Sequence, residues 1–236
     1  MIGRARSSGR AAPMRAATLP SCWSEKYNLS ASAKLPNRTG VEVWSDRAAM
    51  TAYLTLSSGR IHLRPWRDED REPLAAMNSD LRVMEFFRSN LSRIESDAMV
   101  ERIQKHFKDH GFGLWVLEVP GVAPFVGFAG LAWARFRAHF TPAVEVGWRL
   151  AFEHWGHGYA TEAARLALGH GFGTLALLEV VSFTSATNHR SRAVMERLGM
   201  RRDPAEDFDY PSFPEDHPLG RHVLYRLSLG SYLGMY

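Results

Sequence analysis

Two glycines placed two residues apart, where a strand-like run gives way to a helix-like one, constrain this chain more than any other feature. The segment from Val144 to Leu168 reads VEVGWRLAFEHWGHGYATEAARLAL. Val144 to Leu150 suits a strand and Ala160 to Leu168 a helix, so Trp155-Gly-His-Gly-Tyr-Ala160 is the turn between them. Glycine at 156 and 158 lets the backbone approach a ligand without Cβ interference. The first helical N–H groups, from about Gly158 to Thr161, have no intrahelical partners and lie at the positive end of the helix dipole, a natural anion seat. The plainer reading is a glycine-rich turn that merely starts a helix.

Two common phosphate motifs are excluded. A Walker loop needs Gly-Lys-Ser/Thr at the helix start, which is absent. A dinucleotide fingerprint needs a third glycine where Thr161 stands. The acid about twenty residues on, Glu179, is expected before its strand, whereas the ribose-binding acid belongs at a strand's end.

The surrounding pattern is mixed. Arg60-Ile-His-Leu-Arg64 alternates like a strand, and Asp68 to Asn78 reads as a short helix. Ser92-Arg-Ile-Glu95 is a capping box opening a helix with apolar positions Ile94, Ala98, Ile103 and Phe107, stopped by Gly111. Leu114–Val119 and Phe125–Trp133 flank a Pro/Gly turn and suit an antiparallel hairpin. Val180 to Thr184 is a strand, Ser191 to Leu198 a helix closed by Gly199, and His222 to Leu229 a closing strand. This order implies an α/β (α+β) fold with a mixed sheet and helices on its faces.

At this point the residues resemble the GNAT acetyltransferases, within them the ribosomal-protein-alanine acetyltransferase-like branch. Glu145-Val-Gly-Trp148 and Trp155-Gly-His-Gly-Tyr-Ala-Thr-Glu-Ala163 match that branch's strand and pyrophosphate loop, with Trp155 where Gln or Arg is usual. Asn188-His-Arg-Ser191, Leu198-Gly-Met200 and the front motif Leu63-Arg-Pro-Trp-Arg67 fit as well, over about Leu56 to Leu229. The resemblance implies a mostly antiparallel sheet splayed at two parallel strands, Val144–Leu150 and Val180–Thr184, with acetyl-CoA in the gap. It implies that backbone groups of Trp148, Arg149 and Leu150 bond the pantetheine arm. The N–H groups of Gly156, His157, Gly158, Tyr159, Ala160 and Thr161 would hold the pyrophosphate, and Asn188 and Ser191 would lie near the thioester.

Acyl transfer to an amine needs a base, an oxyanion donor and a proton for the leaving thiolate. Glu145, an acid in an otherwise apolar strand, is the candidate base; its plainer role is a solvated or paired Glu. Many relatives place a Tyr seven residues after the Asn, but here that position is Met195. Ser191 is the substitute acid, against a plain role as N-cap hydroxyl. For Asn188 the plain role is also an N-cap or turn. The acceptor is expected to be a primary amine, either a protein N-terminus or a small molecule such as a polyamine or an aminoglycoside. The alternative, suggested by Met195, is a non-catalytic acyl-CoA-binding module. The resemblance makes the loop carrying Arg135, Arg137, His139 and Phe140 the expected acceptor-facing segment; Phe86, Phe87, Trp133, Phe136 and Phe140 could line the acceptor side, though a core role suits most of them better. Arg202 to His217, rich in Pro and acids, reads as an extended loop that either caps the acceptor site or is a solvated connection.

Composition sets the remaining bounds. The chain has 236 residues with 45% hydrophobic and 23% charged, ordinary for a globular protein. A net charge of +4 with no dense Lys/Arg stripe gives no expectation of nucleic acid. His106 and His110 stand at metal-ligand spacing without an evident third ligand, so no metal is expected. The single cysteine, Cys22, builds no disulfide framework, which fits a reducing, cytoplasmic compartment. No apolar run approaches the roughly 18 residues of a membrane span. A homodimer is allowed. Residues 53–236 are expected to form the acetyltransferase domain. Residues 1–52 carry Arg4, Arg6, Arg10 and Arg15 with little apolar pattern. They read as a disordered extension, a start called too early with Met50 the true start, or a transit peptide.

Overall fold

The computed structural model describes residues 54–235. The expectations for residues 1–52, Cys22 and Met50 among them, lie outside the described residues. The described chain begins with two short strands, β1 (Leu56–Ser57) and β2 (His62–Arg64), then a 3-10 turn and helices α1 (Arg71–Ser79) and α2 (Arg93–His110). Strands β3 (Leu114–Val119), β4 (Ala123–Trp133) and β5 (Val144–Leu150) follow, then helix α3 (Tyr159–Gly173), strand β6 (Glu179–Ser185) and helix α4 (His189–Arg197). The chain closes with β7 (Arg201–Arg202), β8 (Phe208–Asp209), β9 (Arg221–Ser228) and α5 (Leu229–Leu233). The strands order as β1-β2-β3-β4-β5-β6-β9-β7, with β8 also on β9. Every pairing is antiparallel except β5 with β6, which run parallel and meet at one register pair, Glu145 with Val181. The fold class read from the sequence is therefore the one observed.

The front motif explains how the sheet's first half is held. Arg64, buried, grips both Asp70 oxygens at 2.8 Å and also donates to Glu118 and to the Pro124 carbonyl. Trp66 Nε1 reaches the Leu114 carbonyl at 2.6 Å. One cation thus ties β2, the start of α1 and the β3–β4 hairpin together. Its charge is compensated by two carboxylates, as burial demands.

α2 opens on the expected capping box: Ser92 Oγ accepts from Glu95 N–H, and Glu95 accepts from Ser92 N–H at 2.7 Å. It stops where Gly111 adopts φ 75°, a left-handed conformation that a Cβ would strain. The buried face differs from the expected one. Ile94 is 81% exposed, and the inward positions are Ser96, Val100, Ile103, His106 and Phe107. Ile94 lies in the first turn, beyond the reach of the sheet's edge. α3 is longer at both ends than the Ala160–Leu168 expected, and Glu179 is the first residue of β6 rather than a residue before it.

Helices cover both faces. Leu131 of β4 touches Gly171 of α3, while Arg149 of β5, whose side chain lies on the other face, bonds Asn78 of α1. A large core packs around Trp115, Leu117, Leu131 and Leu168, and a second cluster holds Phe140, Val181, Phe208 and Leu224. Within the large core His170 is 1% exposed, edge-on to Trp115, and neither ring nitrogen has a partner. Burial pushes it down to about 4 from 6.5. The unfolded chain takes this proton at about pH 6.5 and the folded chain only near 4, so the His170 contribution to stability is expected to fall as pH drops through that window. The full shift corresponds to about 3 kcal/mol. Denaturant melts from pH 7 to pH 4 check this: His170→Leu should flatten the slope, and an unchanged slope refutes the assignment.

Candidate active site

Because β5 and β6 meet at one rung, their edges part beyond it. Ser182 Oγ donates to the Val146 carbonyl at 2.9 Å, which shows that Val146's backbone faces β6. Alternation along the strand then aims Trp148's N–H and C=O into the gap. The neighbouring residues are turned elsewhere. The Arg149 carbonyl lies against Gly127 of β4, and the Leu150 carbonyl accepts from Trp155 Nε1 at 2.9 Å. Of the three backbone positions expected along the pantetheine arm, Trp148 is the one that presents both its groups to the gap.

The gap opens into a cavity of about 1080 Å3. At one end lies the glycine turn. Gly156 and Gly158 hold φ of 82° and 79°, and Gly158 is the N-cap of α3 with no side-chain cap. The first intrahelical bond runs from Glu162 N to Gly158 O, so the N–H groups of Tyr159, Ala160 and Thr161 have no helical acceptor, and all three residues line the cavity. Arginines surround this end. Arg60 donates to Glu162 at 2.6 Å and to the His157 carbonyl at 3.1 Å, while Arg197 donates to Thr161 Oγ1 at 3.2 Å. Arg165 lines the same wall and donates to the Arg197 carbonyl. Free N–H groups at a helix dipole beside guanidinium groups form a phosphate cradle. A coenzyme A pyrophosphate fits it.

At the other end stands Glu145. It lines the cavity and is half-buried, and among the described residues its carboxyl meets no hydrogen-bond donor or cation. Burial pushes it up to about 8 from 4.5. Tyr210, on the strap between β8 and β9, lies in the field of this carboxylate; burial and that charge both raise its phenol. Ser191 and Asn188 also line the cavity. Asn188 is the N-cap of α4: its Oδ1 accepts from Ser191 N–H at 3.1 Å and its Nδ2 donates to Thr184 Oγ1 at 3.1 Å. Its plain role is thus present; Ser191 lines the cavity, and its hydroxyl has no partner among the described residues. Met195 is fully buried in the large core.

The walls differ from those expected on the acceptor side. Phe86 and Phe87 line the cavity, but the Arg135–Phe140 loop and Trp133 do not. Phe136 and Phe140 pack into the second cluster against Phe183 and Phe208, where they back the Tyr210 ring. Within the 202–217 strap, Tyr210, Ser212 and Phe213 form part of the cavity wall. The strap is fastened by Arg202 to Asp207 and Arg226 to Glu206, and by Tyr210 stacked on His222 at 4.7 Å. Arg60, Arg197 and Tyr210 were missed in the sequence because each reaches the cavity from an element far away in the chain. The Pro- and acid-rich composition of the strap, which needs fastening to be ordered, was the available signal for Tyr210.

Among the described residues no group of three His, Cys, Asp or Glu could hold a metal. His106 uses both ring nitrogens on backbone, with Nδ1 on the Phe112 carbonyl at 2.7 Å and Nε2 accepting from Trp133 N–H at 3.2 Å. No described helix is long and apolar enough to cross a membrane.

Comparison with known proteins agrees with this geometry. The acetyltransferase (GNAT) domain family matches residues 60–201. The chain is 30% identical over 152 residues to the uncharacterized protein YkkB of Bacillus subtilis, spanning 64% of this chain and 87% of that one. It is 33% identical over 160 residues to the FsC-acetyl coenzyme A-N(2)-transacetylase of Aspergillus fumigatus, spanning 63% of this chain and 66% of that one. An acetyltransferase structure from Agrobacterium tumefaciens superposes with a TM-score of 0.59 at 23% identity, covering 83% of this chain and 99% of that one. The chain belongs to the GNAT acetyltransferase family, and it is an acyltransferase.

Proposed function

We propose that this protein moves an acetyl group from acetyl-CoA to a primary amine by direct transfer in a ternary complex. One observation carries the reading. A single cavity runs from the unsatisfied N–H groups at the start of α3, past the backbone edge of Trp148, to the unpaired Glu145 carboxyl. The cradle would hold the pyrophosphate through Gly156 to Thr161, and Trp148 would bond the pantetheine arm as an added strand does. Acetyl-CoA supplies an activated carbonyl.

The remaining chemistry falls to side chains. Glu145, poised at about 8, takes a proton from the nitrogen of the neutral amine as the new N–C bond forms, after which the C–S bond breaks. A backbone N–H in the parted strand stabilises the developing oxyanion. The departing thiolate needs a proton, and two hydroxyls facing the cavity are placed to give it: Ser191, the substitute inferred from sequence, and Tyr210, which supplies a phenol that position 195 lacks. The Tyr210 phenol is reprotonated from solvent.

The test is thiol release from acetyl-CoA across N-terminal peptides, amino acids, polyamines and aminoglycosides. Turnover on at least one amine is expected, and tight acetyl-CoA binding with no turnover on any would mark a binding module. On the best acceptor, loss of the acid should lower kcat by about tenfold to a thousandfold, with KM for acetyl-CoA little changed. Tyr210→Phe and Ser191→Ala measured side by side identify the acid. If neither moves kcat, both assignments fail.

A further inference from the structure

Arg149 is a buried cation in this cavity that no acid answers. On β5 it shares a face with Glu145 and Gly147, four residues and about 13 Å from Glu145 at the Cα atoms. Its Nη1 donates to the Asn78 side-chain oxygen at 2.6 Å, a neutral acceptor. Asn78 is itself fully buried and fixed through Ser96 Oγ at 3.1 Å, so the guanidinium is held in place. Phe87 covers it at 4.0 Å, and Phe128 lies 5.5 Å away. Nε is enclosed and has no partner, and no carboxylate pairs with the group among the described residues. Burial lowers its pKa to about 10, the direction expected of a desolvated cation without a counter-ion.

Of the cavity's other charged groups, Arg88 is exposed, and Arg165 and Arg197 donate to a carbonyl and a hydroxyl at the cradle. Arg190 pairs with Glu85 and stacks on Trp155; Glu162 is taken by Arg60 and Ser58. Glu145 is the unpaired acid, and Arg149 is the lining cation that shares its face of β5. With Nε enclosed and Nη1 on Asn78, the guanidinium has Nη2, unpartnered among the described residues, to offer a carboxylate oxygen. Gly147 between them adds no side chain, which leaves room for a chain linking the two groups.

The geometry points to an acceptor that carries a carboxylate as well as the reacting amine: an amino acid whose amine faces Glu145 while its carboxylate docks on Arg149. This rests on the acetyl-transfer reading above and narrows its substrate class. It also disfavours di- and polyamines, whose second ammonium would meet Arg149.

The experiment compares linear ω-amino acids from glycine to 6-aminohexanoate, and the L-α-amino acids, with their carboxamides, the matching diamines and an aminoalkyl phosphate. At one chain length the acid should exceed its carboxamide in kcat/KM by about tenfold to a hundredfold, the worth of a hydrogen-bonded charge pair. Arg149→Gln should erase that ratio, and Arg149→Lys should restore part of it. Equal rates for acid and carboxamide in the unaltered protein, or a diamine or phosphate turned over faster than every acid, overturn the inference. Turnover of other amines would leave acetyl transfer standing in that case. If no amine releases thiol, acetyl transfer itself fails. The inference is then read from melting temperatures with CoA and N-acetylated acids or amides: a larger shift for the acids supports it, and equal shifts overturn it.

Discussion

Replacing Gly158 with valine is expected to raise the Kd for acetyl-CoA by about a hundredfold or more while the protein stays folded. Gly158 holds φ 79°, and a β-branched residue there is strained by about 1–2 kcal/mol, an amount a domain of this size tolerates. A Cβ at this position would sit 3.4 Å from Arg60 Nη2, so the side chain also presses on the arginine that backs the cradle. Relief of that strain turns the N–H groups of Tyr159 to Thr161 away from the pyrophosphate. Losing two charge-assisted hydrogen bonds, each worth about 1.5–3 kcal/mol, accounts for the factor. Titration calorimetry with acetyl-CoA, beside a thermal melt, checks it. Unchanged affinity in a folded variant would remove this turn as the phosphate seat.

The second large effect is at Glu145. Glu145→Gln is expected to lower kcat/KM by about a hundredfold to ten-thousandfold and to remove an ionisation near pH 8 from the profile. The base must be ionised to act, so the unaltered enzyme's rate should climb with pH towards about 8 and level above it. Comparing both proteins on one acceptor separates this step from the acceptor's own titration. Stability should move the opposite way. The folded carboxyl titrates near 8 and the unfolded one near 4.5, so this carboxyl's contribution to stability is fullest below 4.5 and is lost as pH rises through 8. Glutamine does not ionise, so the variant should gain on the unaltered protein between pH 5 and 8.5. A flat difference across that range would show that the carboxyl is not desolvated.

The parts of the molecule legible in the sequence are those governed by local rules. Strand β5 was read to the residue, because alternation and the flanking glycine turn both mark it. The capping box at Ser92 and the stop at Gly111 were legible for the same reason: each is a bond between near neighbours. Ile94 was misread because periodicity gives the period of a helix and not which face meets a partner. The 135–140 loop was misassigned because its aromatics are equally suited to a cavity wall and to a core, and only tertiary packing chose the core. Tyr210, Arg60 and the Asn78–Arg149 contact depend on residues 65 to 102 positions away, which no local rule connects. The unpaired state of Glu145 was foreseeable only as an anomaly, an acid in an apolar alternation.

The one rung between β5 and β6 has a mechanical meaning. Seven strand pairings lie on the sheet's path, and at this one a single residue pair joins a plate made of β1 to β5 to a plate made of β6, β9 and β7. Besides that pair the seam has the Ser182 Oγ bond to the Val146 carbonyl, so it has fewer ladder rungs than any other pairing on the path. A pantetheine arm bonded along the Trp148 edge would brace the two plates like a splint, adding the rungs that the polypeptide leaves out. The stiffness of the molecule and the occupancy of its proposed donor seat would then be linked, and Glu145, one half of that register pair, stands at the joint.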